Sequence, residues 1–198
     1  MVLSPLQIGQ LLAHLSLIRK WSRIYNLTAI RDAGDMLTQH TLDSLAVVAP
    51  LLRHLGRRPA RVLDVGSGAG LPGVVVAICC PELEVDCVDT VGKKATFIRQ
   101  VALELQLPHL RAHHARVESL AGPFDVITSR AFASLEDFVS LSRRALAPDG
   151  VWMALKGKRP DPEIAALPPE IEVFHVEQLT VPGLAAERCI VWLRQHDG

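Results

Sequence analysis

The stretch "RVLDVGSGAGLPGVVVAI", residues 61–78, constrains this chain more than any other. A short apolar run enters a glycine-dense turn and a second apolar run leaves it. Glycines at positions 66, 68, 70 and 73 allow the backbone to turn sharply and to approach a ligand closely. A strand before such a turn and a helix after it make the ligand-binding corner of an open parallel sheet. The unpaired N–H groups and dipole of the helix start attract anions and polar acceptors there. Pro72 suits the first helical turn, where a missing N–H costs nothing.

The chain then repeats the same alternation. Strands are predicted at "RVLDV", "EVDCV", "LRAHH", "FDVITS" and "VWMALK", with helices starting at Leu71 and covering 92–105 and 134–146. That order implies an α/β fold with a mostly parallel sheet and right-handed crossovers. "APDG", 147–150, reads as the turn that stops the last of these helices. "IEVFHVEQL" and "ERCIVWLR", joined by a loop with Pro182 and Gly183, are expected to pair antiparallel.

Residues 1–56 read as a helical cap on residues 57–198, the two forming one compact unit. Ser4 caps and Pro5 opens an amphipathic helix through Tyr25, with Leu11, Leu15, Ile18 and Trp21 at helical spacing. "NLTAIRDAG" breaks it, and a second helix is expected over 35–55 with a kink at Pro50. A length of 198 residues suffices for one such domain with its appendage.

Two ligands compete for the glycine corner. Read from Gly68, "GAGLPG" fits the dinucleotide fingerprint G-x-G-x-x-G. Read from Gly66, "GSGAG" fits the G-x-G-x-G loop of S-adenosylmethionine enzymes. The strand ends at Val65, directly before Gly66, which favours the second register. Asp64 is expected to point its carboxylate at the loop, where it would repel a pyrophosphate and attract the sulfonium and amino group of S-adenosylmethionine. Asp89, ending the next strand, is placed to accept both ribose hydroxyls of an adenosine, which either ligand carries.

Several segments together resemble the RsmG (GidB) family: "KWSRIYNLTAI", "HTLDSL", "DVGSGAGLPG", "VDTVGKKATFIRQV", "ITSRAFASL", "ALKGK" and "ERCIVWL". They keep the family's order and span nearly the whole chain. The resemblance implies a Rossmann-like class I methyltransferase fold, with a seven-stranded, mostly parallel sheet and an antiparallel final strand. It implies S-adenosyl-L-methionine as cofactor and methyl transfer to guanine N7 of 16S ribosomal RNA in the small subunit. Cofactor contacts would fall on Gly66, Leu71, Val117, Glu118 and Arg130, beside Asp64, Gly68 and Asp89 from the motif reading. Ser67 and Ala69 replace the commoner Thr and Pro in the loop, and Cys189 stands where the family often has histidine.

The chemistry asks for no general base. Guanine N7 carries an in-plane lone pair and loses no proton before attacking a methyl group, so positioning and desolvation do the work. No catalytic side chain is assigned beyond positioning by Arg130. His40 reads as a structural hydrogen-bonder. The 21 basic and 21 acidic side chains balance, so any pull on RNA must come from a local rim. Lys93, Lys94 and Arg99 after the second strand, with Lys156 and Lys158 after the fifth, are expected to form it, with Arg130, Lys156, Lys158 and Lys93 touching substrate. Further basic clusters lie at Arg57, Arg58 and Arg61, at 111–116 and at Arg143 and Arg144. Trp21 and Tyr25 are assigned to packing rather than base stacking.

No apolar run reaches the roughly 18 residues of a membrane span. Cys79, Cys80, Cys87 and Cys189 lack metal-binding spacing and read as buried thiols. A monomeric, cytoplasmic enzyme without a metal is expected. The competing functions are methylation of a small molecule on the same fold and NAD(P)-dependent oxidoreduction.

Overall fold

The computed structural model describes residues 2–56, 58–132 and 134–196. Arg57 of the first basic cluster and Ala133 of "SRAFAS" lie outside the described residues. The first helix, α1 (Pro5–Tyr25), begins at a capping box. Ser4 Oγ accepts the Gln7 N–H, and the Gln7 side chain accepts the Ser4 N–H in return. Asn26 closes the helix in the left-handed conformation, φ 51°.

The second predicted helix is broken into pieces. α2 (Ala33–Met36) runs into a π-helical segment (Leu37–Leu42), then α3 (Asp43–Leu45) and α4 (Val48–Leu55). The break falls at Ala46 and Val47, before α4, and not at Pro50. Pro50 is the third residue of α4, where first-turn N–H groups have no helical partner and proline loses nothing. The wider π turn alters the helical phase. His40 and Thr41, then Asp43 and Ser44, all turn inward.

The sheet comprises β1 (Arg61–Val65), β2 (Glu84–Asp89), β3 (Leu110–His114), β4 (Phe124–Arg130), β5 (Leu146–Lys156), β6 (Ile171–Leu179) and β7 (Arg188–Gln195). Their order is β3-β2-β1-β4-β5-β7-β6, with β7 antiparallel to both β5 and β6. The order reverses between β1 and β4, which opens a crevice at their carboxyl ends. α5 (Gly73–Cys79) follows β1 and α6 (Gly92–Glu104) follows β2. α7 (Leu135–Ser142) and α8 (Asp161–Ala165) flank β5 in sequence. The helix predicted to reach 146 ends at Ser142 in a 3-10 turn, Arg143–Ala145. Residues 147–150 belong to β5, as an irregularity between the pairs Phe124↔Leu146 and Val126↔Val151. A bulge absorbs the extra residues that a turn was expected to use.

The cap shares its core with one sheet face. Leu11, Ile18, Val48 and Leu51 join Val62, Val85, Val126 and Trp192 in one apolar cluster. Trp21 meets Phe97 edge-on at 5.4 Å and Tyr25 at 5.3 Å, the packing role expected for it. The opposite face packs Leu63, Ile127 and Trp152 against Phe138 of α7. All four cysteines are free and buried. No described helix is long and apolar enough to cross a membrane.

Candidate active site

The glycine corner is held from below. Gly70 has φ 78°, and a Cβ there would stand 2.3 Å from Val74 Cγ2, so both backbone and space demand glycine. Asp64 shares the face of β1 that carries Val62 and lies under the loop, 0% exposed. Its Oδ2 accepts the Gly73 N–H at 2.9 Å. Burial pushes its pKa up to about 7, against the opposing pull of the Gly73 N–H and the Arg130 charge. Asp64, expected to reach the cofactor, is thus buried beneath the loop and bonded to its backbone. Strand alternation sends this carboxylate to the start of α5 and not into the crevice.

Asp89 fixes the loop from the side. Its Oδ2 accepts the Gly68 N–H at 3.0 Å and its Oδ1 accepts the Val91 N–H at 2.9 Å. Lys94 Nζ lies 3.5 Å from Oδ2. The carboxylate expected to accept both ribose hydroxyls thus also shapes the loop. From the cap, His14 Nε2 donates to the Ala69 carbonyl at 2.9 Å. Burial lowers the His14 pKa to about 4, so this imidazole is neutral. Sequence reading missed His14, because nothing local in α1 signals a contact 55 residues away.

Two clefts open above these supports. The first, about 420 Å³, brings Gly66, Asp89, Val117 and Glu118 together with Lys94 and Phe132. Four of the expected cofactor residues thus meet across three connections of the sheet. Gly68 and Leu71 lie in the loop behind the wall. The Leu71 side chain is buried and its N–H donates to the Ser67 carbonyl at 3.0 Å. Lys93 is exposed at the start of α6, while its neighbour Lys94 lines the cleft.

The second cleft, about 430 Å³, lies where the cap meets the carboxyl ends of β4 and β5. Gln39, His40, Asp43, Arg130, Lys156 and Arg188 line it. Arg130 Nη1 donates to the Gln39 carbonyl at 2.8 Å and to Asp43 Oδ2 at 3.2 Å. Arg130, expected at the cofactor, thus lines this second cleft, where the buried acid on the cap holds its guanidinium, and its charge still reaches Asp64 beneath the glycine loop. Ala131, next in the chain, takes φ 61°, a strained conformation for a residue with a Cβ. Arg188 Nε donates to Asp43 Oδ1 at 2.8 Å. Lys156 is paired with Glu163 at 2.7 Å, and Lys158 stands exposed just beyond.

The basic rim is smaller than expected. Arg99 turns to the outer edge of the sheet, where its Nε donates to the Ala112 carbonyl at 3.1 Å. His40 Nε2 is 2.9 Å from Thr28 Oγ1, the structural role expected. Burial, then the Arg130 charge, lowers its pKa. Asp43 and Arg188 were inside the quoted segments "HTLDSL" and "ERCIVWL", but no spacing rule links positions 43, 130 and 188. A third depression, about 530 Å³, is lined by His54, Phe174 and Trp192 and shares no residue with either cleft.

A seven-stranded sheet in this order, with a glycine corner and a strand-end carboxylate at its switch point, defines a Rossmann-like methyltransferase fold. Solved structures share it. TrmN from Thermus thermophilus matches with TM-score 0.59 and 22% identity, over 81% of this chain and 53% of its own. A Burkholderia thailandensis 1,6-didemethyltoxoflavin-N1-methyltransferase, solved with S-adenosylhomocysteine, matches with TM-score 0.62 and 19% identity, over 100% of this chain and 92% of its own.

The chain belongs to the GidB family, described as rRNA small subunit methyltransferase G, which matches residues 7–191. Relatives named ribosomal RNA small subunit methyltransferase G include one from Methylibium petroleiphilum, 66% identical over 98% of this chain and 88% of its own length. Another, from Acidovorax ebreus, is 64% identical over 97% of this chain and 88% of its own length.

Proposed function

We propose that this protein transfers the methyl group of S-adenosyl-L-methionine to guanine N7 in 16S ribosomal RNA of the small subunit, in the cytoplasm. One observation carries the reading. In a chain of this family, a nucleoside-sized cleft and an arginine-lined cleft adjoin at three consecutive residues, Arg130 and Ala131 on one side and Phe132 on the other.

The first cleft fits the cofactor by its donor set. Asp89 spends one lone pair per oxygen on backbone N–H groups and keeps the others for ribose hydroxyls. Val88, Val91 and Val117 offer apolar walls to a purine, and Glu118 offers an acceptor for its amino group. The Gly66 backbone, open on the cleft side, would take the amino-acid end. When bound, the cofactor supplies an electrophilic methyl group.

The protein's own contribution is placement. Guanine N7 needs no deprotonation, and the pKa of the one histidine in the second cleft, His40, is lowered by burial and by Arg130. Arg130, Arg188 and Lys158 supply the cationic surface for an RNA segment, and Lys156 contributes less because Glu163 already neutralises it. Oxidoreduction and small-molecule methylation lose their basis, since the family and its cationic cleft suit RNA.

Radiolabelled S-adenosylmethionine, incubated with naked 16S RNA and with isolated small subunits, tests this. Label recovered as 7-methylguanosine after digestion supports the reading. Label at another atom, or in neither RNA preparation, contradicts it.

A further inference from the structure

One carboxylate organises the second cleft. Asp43 is 3% exposed and comes from the cap, directly after the π-helical segment. Its two oxygens hold guanidiniums from different strands: Oδ2 takes Arg130 from the end of β4 and Oδ1 takes Arg188 from the start of β7. Each arginine is fixed a second time by a backbone carbonyl, Arg130 by Gln39 and Arg188 by Glu187. Among the described residues, Nε and Nη2 of Arg130 and Nη2 of Arg188 donate to no protein acceptor, so donors remain for a ligand.

The charges do not cancel. Arg130, Arg188 and Lys156 stand against Asp43 and Glu163, which leaves one positive charge at the cleft. That surplus suits a nucleotide, whose phosphate oxygens and guanine O6 are acceptors. Three segments far apart in the chain, at 43, 130 and 188, are joined by this acid.

We propose that Asp43 is a positioning residue for methyl transfer: it holds the Arg130 and Arg188 guanidiniums in a fixed relation, so that the target nucleotide is seated for attack on the methyl group. This rests on the reading above that the second cleft takes RNA. Electrostatics alone makes the opposite forecast, which gives the proposal its test. Removing a negative charge beside an RNA site strengthens phosphate binding. Removing a strut leaves two mobile arginines and a misplaced substrate, and a displacement of about 1 Å can cost about a hundredfold in rate.

The experiment uses the full chain and the RNA substrate that the wild type methylates. Asp43→Asn preserves shape and loses the charge. Its affinity for S-adenosylmethionine should stay within about twofold of wild type, its RNA binding should be as tight or tighter, and its single-turnover rate should fall about ten- to a hundredfold. Arg188→Gln should also slow the step, and the double variant should be no slower than the worse single variant, because both act through one contact. An unchanged rate, losses that multiply, or a fall in cofactor affinity matching the fall in rate would each overturn the proposal. If Asp43→Asn does not fold, Arg188→Lys carries the test. It keeps a charge for Asp43 and for RNA but loses the planar fork, so the rate should drop with RNA affinity unchanged, and full activity would overturn the proposal. A wild type that methylates no RNA would bring down the functional reading and this inference together, whereas an active wild type with an equally active variant removes only the inference.

Discussion

In the cleft beside the glycine corner, the polar groups that face a ligand are set by the backbone. Asp89 is pinned by two peptide N–H groups, and the loop it pins is shaped mostly by residues within about one strand and one helix of it, with His14 of the cap adding one bond at Ala69. In the neighbouring cleft they are set by side chains, through Asp43 and two arginines 87 and 145 residues away. The first, apart from the His14 contact, is a locally encoded, preformed cradle. The second exists only once the cap has docked. Nucleoside binding can thus persist on many chains with this corner, while the reactive partner is chosen by the part that differs.

The sharpest break in that comparison is Gly70→Ala. Its φ of 78° and a Cβ 2.3 Å from Val74 Cγ2 leave no unstrained solution. A loss of about 3 kcal/mol in stability is expected, with cofactor binding lost alongside. A denaturant melt and calorimetry on the same preparation check this, and near-native values would mean that the loop is more pliant than a preformed cradle can be.

Asp89→Ala comes next. It deletes the proposed ribose acceptor and strands the Gly68 and Val91 N–H groups. Cofactor affinity should fall ten- to a hundredfold, about 1.5–3 kcal/mol, with a measurable drop in Tm. Unchanged affinity in a folded protein would remove Asp89 from the site.

A smaller effect concerns Asp64. Its pKa is raised to about 7 in the fold against 3.8 outside it. The native state therefore keeps a proton that the unfolded chain has released, so this group's contribution to stability is greatest below about pH 4, declines up to about pH 7 and is level above. Asp64→Asn cannot ionise and still offers Gly73 an acceptor. Relative to wild type it should gain about 1.4 kcal/mol over each pH unit within that window. Parallel stability curves for the two proteins would contradict the buried, uncompensated acid.

Smallest is the rim. Lys158→Gln should reduce the log–log salt slope of RNA binding by something under about 1, and Lys156→Gln by less, because Glu163 already holds Lys156. Equal slopes for both variants would show that the ion pair opens when RNA binds.

The same contrast explains what the chain disclosed as text. The strand–turn–helix corner, the carboxylate at Asp89 and the antiparallel last pair follow from local periodicity and glycine spacing, and the structure has them. The "VESL" turn carrying Val117 and Glu118 came only from family resemblance. The π-helical segment was invisible, since residues 37–42 have an ordinary helical composition and only tertiary burial of His40 and Asp43 shows why the phase changes. Arg130 was a cofactor contact by family resemblance, while its place at the end of a strand fitted cofactor or RNA equally. Which of two adjoining clefts it serves depends on Asp43, far off in sequence.

The division between the clefts is the central claim, and Arg130→Gln measured beside Asp89→Asn tests it most directly. Titration calorimetry with S-adenosylmethionine and single-turnover methylation of small-subunit RNA are run on both variants. The account predicts a crossed pattern. Asp89→Asn loses cofactor affinity about tenfold or more, while Arg130→Gln keeps it within about twofold and loses methylation about a hundredfold. Loss of cofactor affinity in Arg130→Gln as deep as that in Asp89→Asn would contradict the account and return Arg130 to the cofactor cleft.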